Sequence, residues 1–135
     1  MIMTHKTPTG PLSTADILLL LKNIASARQE HFVVLTLDSG GCLIKKRVVF
    51  IGTINATLVH PRETFAPAIA DYAACIVVAH NHPSGDPSPS RQDIETTQQL
   101  VAAGQILGVR LRDHIIVAGS EYYSFSANGM MLSEY

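Results

Sequence analysis

The sequence predicts an α/β domain, a mixed β-sheet flanked by helices. Three observations carry that prediction. Helical and strand patterns alternate along the chain as helix, hairpin, helix, strand, helix, strands. The run Cys75-Ile76-Val77-Val78-Ala79 is apolar without alternation, as in a strand covered on both faces. The stretches 14–28 and 62–74 carry apolar residues at helical spacing, so each offers a face to cover such a sheet.

Taken in order, residues 1–12 hold two prolines, threonines and a glycine, and predict a flexible arm. One domain is expected over 13–135, a length that buries a core without disulfide or metal staples. Ser13-Thr14-Ala15-Asp16 has the form of a capping box. Ile17, Leu18, Leu20, Leu21 and Ile24 then predict a helix over 14–28. His31 to Leu37 is rich in β-branched and aromatic residues and predicts a strand. Asp38-Ser39-Gly40-Gly41 is a turn, and 42–51 returns as the second arm of a hairpin. A short strand is expected at 57–59.

Pro61 suits a first helical turn, and Phe65, Ile69 and Ala73 would share the buried face of a helix over 62–74. The strand at 75–79 is followed by a rigid loop, 83–90, with three prolines. A helix over 91–107 ends near Gly108, and strands are expected at 114–118 and 122–125.

Composition narrows the function. Hydrophobic residues make up 47% and charged residues 16%, which excludes a disordered chain. No apolar run reaches the ~20 residues of a membrane span, and the first residues lack a signal-peptide core, so a cytoplasmic location is expected. A net charge of −1 does not support a dedicated nucleic-acid binder. The basic triplet Lys45-Lys46-Arg47 is expected to be a solvated strand face. Cys42 and Cys75 lie in no CxxC pair, so a zinc ribbon or thioredoxin motif is excluded.

The chemistry concentrates in His80-Asn81-His82 and the loop after it. Residues i and i+2 of a strand share a face, so both imidazoles can aim at one point. Pro83 ends the strand there, at the sheet rim. The loop then delivers Ser90 and Asp93 to the start of a helix. Two imidazoles and a carboxylate form a common catalytic zinc set with one position open for water. Ser90-Arg91-Gln92-Asp93 also has the form of a capping box, so Ser90 can cap the helix and serve the site as an oxyanion donor. Asp86, in Gly-Asp-Pro, is expected to be a turn residue rather than a ligand.

His-x-His, seven residues, Ser, two residues, Asp resembles the signature of the JAMM (MPN-plus) metalloproteases, met here by His80, His82, Ser90 and Asp93. The wording of this loop, of 59–63 and of 113–117 resembles the bacterial RadC-like branch, and the likeness runs from about residue 14 to 130. The resemblance implies the cytidine-deaminase-like α-β-α sandwich of JAMM/MPN domains. It implies one Zn²⁺ per chain on His80, His82 and Asp93, a supporting serine at Ser90, and a glutamate upstream as acid/base. It implies hydrolysis of an amide bond in a peptide or protein substrate, as in the eukaryotic relatives that remove ubiquitin-like modifiers. RadC-like proteins of full length carry a helix-hairpin-helix segment before this domain. Only about thirteen residues precede the first helix here, so a short, stand-alone form is expected.

Five glutamates are candidates for the base: Glu30, Glu63, Glu95, Glu121 and Glu134. Glu95, two residues after Asp93, turns roughly 200° away from it on a helix. Glu121 and Glu134 follow the motif, whereas the family's base precedes it. Glu30 directly precedes the first strand, where JAMM proteins place theirs, and is preferred. Glu63 is the rival, with helix-start stabilisation as its plainer role. The alternative function is a non-catalytic, zinc-stabilised binding module associated with DNA repair or mobile-element proteins. A deaminase is excluded by the lack of His-x-Glu and Pro-Cys-x-x-Cys, and a helix-borne zincin by the lack of His-Glu-x-x-His.

Overall fold

A computed structural model of the chain describes residues 9–52 and 59–131. Its elements are α1 (Thr14–Leu20), α2 (Lys22–Ala25), β1 (Glu30–Leu37), β2 (Leu43–Gly52), α3 (Pro61–Ala70), β3 (Cys75–Asn81), α4 (Arg91–Leu107), β4 (Arg110–Ala118) and β5 (Glu121–Ser124). The strands form one sheet in the order β2-β1-β3-β4-β5. Only β3 and β4 run parallel, joined across α4, while every other neighbouring pair is antiparallel. The sheet is therefore mixed, as expected.

Strand alternation divides the core in two. Val33, Leu35, Val77, Ala79, Ile115 and Val117 pack beneath Ile17, Leu21 and Ile24 of the α1–α2 segment. Phe32, Val34, Ile76 and Val78 face the other way, onto Phe65 and Ala68 of α3 and Leu100 of α4. The result is an α-β-α sandwich. Every residue of β3 is buried. Its apolar part, at about 1.5–3 kcal/mol per large side chain, offsets the cost of carrying polar His80 and Asn81 inside at its end. A bulge in the β3–β4 register, where Ile76 faces Leu111 and Val77 faces Asp113, leaves Arg112 as the extra residue. It re-aims β4 so that Leu111 and His114 lie on the same side.

Several expectations need correction. The flexible arm expected over 1–12 does not include Pro11 and Leu12. Pro11 bridges to Cys42, and Leu12 is buried with its N–H on the Gly41 carbonyl and its own carbonyl on Arg112. Residues 1–8 lie outside the described residues. The helix expected over 14–28 breaks at Leu21 and stops at Ala25. Lys46 Nζ takes the Leu20 carbonyl at 2.6 Å, so the Ile24 N–H bonds Leu21 instead, one residue short of the helical partner. The basic triplet is thus not a bare solvated face, since Arg47 also pairs with Asp71 of the α3 C-cap. On α3 the buried residues are Thr64, Phe65 and Ala68. Ile69, expected inside, is 56% exposed, because the stripe is centred one residue earlier. The strand expected at 57–59 falls at 57–58 outside the described residues.

Helix α4 spans the predicted 91–107, with Gly108 left-handed at its end (φ 73°). Among the described residues no helix is long and apolar enough to cross a membrane.

A candidate metal centre at the sheet rim

His80 sits one residue from the end of β3, on the α3–α4 side of the sheet. The His82 N–H bonds the Val117 carbonyl at 2.9 Å, so the chain keeps its alignment with β4 for one step beyond the strand. That puts both rings on one side, as the i, i+2 spacing requires. The chain then turns at Gly85, whose φ of +88° suits a residue without Cβ. The turn is closed by His82 itself: its Nδ1–H donates to the Asp86 carbonyl at 2.9 Å. The Asp86 carboxylate accepts from Ser88 N–H, the turn role expected for it.

Ser90 opens α4 with the predicted capping box. Its Oγ accepts from Asp93 N–H at 3.0 Å, and Asp93 Oδ2 accepts from Ser90 N–H at 2.9 Å. The cap points the Asp93 carboxylate at the histidines. His80 Nε2 lies 3.0 Å from His82 Nε2 and 3.3 Å from Asp93 Oδ1, and His82 Nε2 lies 3.2 Å from Asp93 Oδ2. Metal–ligand bonds of 2.0–2.1 Å in tetrahedral array give ligand–ligand edges of about 3.3 Å. The two rings and the carboxylate approach one another at about that distance, each ring at a different Asp93 oxygen, and the three residues could hold a metal ion. Burial pushes the Asp93 carboxyl up, but His80 and His82, whenever a proton sits on their facing nitrogens, outweigh it and hold the group well below the carboxylate range. The same carboxylate raises His82.

The three groups line a cleft of about 160 Å³, which Glu30, Phe32, Val59 and Ser90 also line. Glu30 begins β1, half-buried, on the neighbouring strand to His80. Glu63 is exposed at the start of α3, bonded to Arg62, and is not among the residues of the cleft.

Sequence reasoning missed two polar residues around the site. Asn81 is fully buried on the opposite face of β3 from the histidines. Its lone polar amide at the end of an apolar strand was the available signal. His114, given no site role by the sequence pattern, is buried beside His80, with its Nε2 2.8 Å from His80 Nδ1. Burial pushes its pKa well below the ordinary imidazole value. Thr97 of α4 meets the other nitrogen of that ring at 2.6 Å.

Fold and site together define an α-β-α domain with a candidate metal centre where a buried strand meets a helix start. The RadC-like JAB domain family matches residues 9–130, and the chain belongs to that family. It is similar to a UPF0758 protein of Bacillus licheniformis, 46% identical over 112 residues, covering 83% of this chain and 50% of that one. A UPF0758 protein of the archaeon Methanosarcina mazei is 42% identical over 113 residues, covering 84% of this chain and 49% of that one. One from Geobacillus thermodenitrificans is 43% identical over 110 residues, 82% of this chain and 49% of the other. The chain spans about half the length of the curated relatives it matches.

Proposed function

We propose that the domain is a zinc-dependent hydrolase that cleaves an amide bond in a peptide or protein, with His80, His82 and Asp93 as metal ligands. The observation that carries this reading is the convergence of two imidazole nitrogens and one carboxylate, each ring 3.2–3.3 Å from its own Asp93 oxygen and 3.0 Å from the other ring, at a cleft that Glu30 also lines. A closed structural zinc site has four protein ligands, whereas a catalytic one keeps a position open. Among the described residues the group has three members. The nearest further ring, His114, has its Nε2 engaged by His80 Nδ1 at 2.8 Å. This favours a catalytic centre over a zinc-stabilised binding module.

Zinc held by these residues would supply Lewis acidity, lowering the pKa of a nearby water and polarising a substrate carbonyl. The chain's own residues supply the rest. Glu30 takes the proton from the attacking water and returns it to the leaving amine. Ser90 Oγ accepts from Asp93 N–H, which leaves its own proton to donate to an oxygen that gains charge in the cleft. The capping box with Ser90 fixes the direction of the Asp93 carboxylate toward His80 and His82. A cleft of about 160 Å³ is below the ~300 Å³ of small-ligand pockets, so it takes the scissile bond and leaves the substrate's flanks outside.

The test is hydrolysis of a panel of fluorogenic peptide amides and isopeptide-linked peptides. Turnover should vanish on chelation and return with Zn²⁺. Glu30→Gln should keep its zinc and lose roughly 10²–10⁴-fold in rate. Full activity after chelation would overturn the zinc reading, and wild-type turnover by Glu30→Gln would overturn the choice of base.

A further inference from the structure

Resting on that metal reading, we propose that His114 and Thr97 are positioning residues, which hold His80 in the tautomer that presents a bare Nε2 to the cation. The order of protons follows from what each atom is able to donate. The backbone carbonyl of Asp93 accepts only, so Thr97 Oγ1, 2.7 Å away, spends its single proton there. Toward His114 Nδ1, at 2.6 Å, Thr97 is then an acceptor, and the ring proton sits on His114 Nδ1. A neutral imidazole has one N–H, so His114 Nε2 carries a lone pair. That lone pair faces His80 Nδ1 at 2.8 Å, and His80 Nδ1 must donate. His80 Nε2 is left without a proton, and it is the atom that faces His82 and Asp93.

The other ligand ring reaches the same state by a separate route, through His82 Nδ1–H and the Asp86 carbonyl. Packing fixes the relay ring. His114 stacks on Phe125 with ring centroids 4.6 Å apart and planes 8° from parallel. The relay also returns to its starting residue. Asp93 offers its carboxylate to the cation and its backbone carbonyl to Thr97, so one turn of α4 sets both the ligand distance and the tautomer of His80. Groups that orient metal-bound histidines in this way typically alter metal affinity 10–100-fold when removed.

Two readouts test it without any substrate. In metal-free protein with ¹⁵N-labelled histidine, above the imidazole titration range, long-range ¹H–¹⁵N spectra should show His80 and His114 both protonated on Nδ1. In competition with a chromophoric chelator, Thr97→Val and His114→Phe should bind Zn²⁺ roughly 10–100-fold more weakly. Thr97→Ser and His114→Gln, which restore an acceptor at the same place, should recover most of the affinity. A His80 ring protonated on Nε2 in the wild type would overturn the relay, as would wild-type affinity in both Thr97→Val and His114→Phe. If a variant does not fold, the wild-type spectra alone decide. Wild-type protein that binds no Zn²⁺ would instead overturn the metal reading, with the spectra still judging the tautomers.

Discussion

The Asn81 side chain grips the backbone on either side of Glu30: its Oδ1 accepts the His31 N–H at 2.6 Å, and its Nδ2 donates to the Gln29 carbonyl at 3.0 Å and the Ala27 carbonyl at 3.2 Å. The strand that sends His80 and His82 to one face thus sends Asn81 to the other, where it ties down the segment carrying the proposed base. Asn81→Ala would leave three backbone groups without this partner. The expected cost is about 2–4 kcal/mol, measured by urea denaturation. Asn81→Asp should be no better, because it turns a carboxylate toward two carbonyls. Under the proposed function, either variant should lose turnover while still binding Zn²⁺. Wild-type stability in Asn81→Ala would contradict the clamp.

Acid sensitivity should be traceable to one ion pair. Arg47 bonds the Asp71 carboxylate through two nitrogens, and Thr36 Oγ1 donates to it at 2.8 Å. The guanidinium contact holds the Asp71 pKa down, from 3.8 to about 2. A carboxyl with a depressed folded-state pKa stabilises the fold fully above its unfolded value, here 3.8, and the contribution fades as pH falls toward 2. Asp71→Asn should therefore melt lower than wild type at neutral pH, and the gap should narrow below pH 3.8 and close as pH falls to about 2. A gap that stays constant across that window would refute the assignment.

Gly104 reverses the usual effect of Gly→Ala in a helix. In an open helix the change stabilises by about 1 kcal/mol. Here a Cβ would lie 2.4 Å from the Val109 carbonyl and 3.2 Å from the Phe65 ring. The first contact is backbone, held where the Val109 N–H bonds the Gly104 carbonyl at 2.9 Å. Gly104→Ala should destabilise by about 1–3 kcal/mol in thermal or urea unfolding. A stabilised variant would show that the α4–β4 connection yields.

Where local pattern decides the outcome, the sequence was legible. The alternation of elements and the apolar run at β3 gave the sandwich, and the capping box and Gly108 gave the limits of α4. The His-x-His spacing and the helix-start aspartate pointed to His80, His82 and Asp93, which the fold brings together, because each position depends only on short-range geometry. What was lost depends on partners far along the chain. Lys46, from β2, breaks the first helix, and no pattern within 14–28 announces it. His114 is 34 residues from His80, and only the parallel β3–β4 register makes them neighbours. Asn81 was overlooked because its role is to bind backbone atoms some fifty residues earlier.

The proposed function requires a single divalent cation shared by β3, its loop and α4. Crystals grown with Zn²⁺ and measured on both sides of the zinc absorption edge test it most directly. One anomalous peak per chain is predicted, about 2.0–2.2 Å from His80 Nε2, His82 Nε2 and one Asp93 oxygen. It should be absent in Asp93→Asn, a change that keeps an oxygen for the Ser90 cap but removes the charge. No peak at that point, or a peak held by other side chains, would contradict the account.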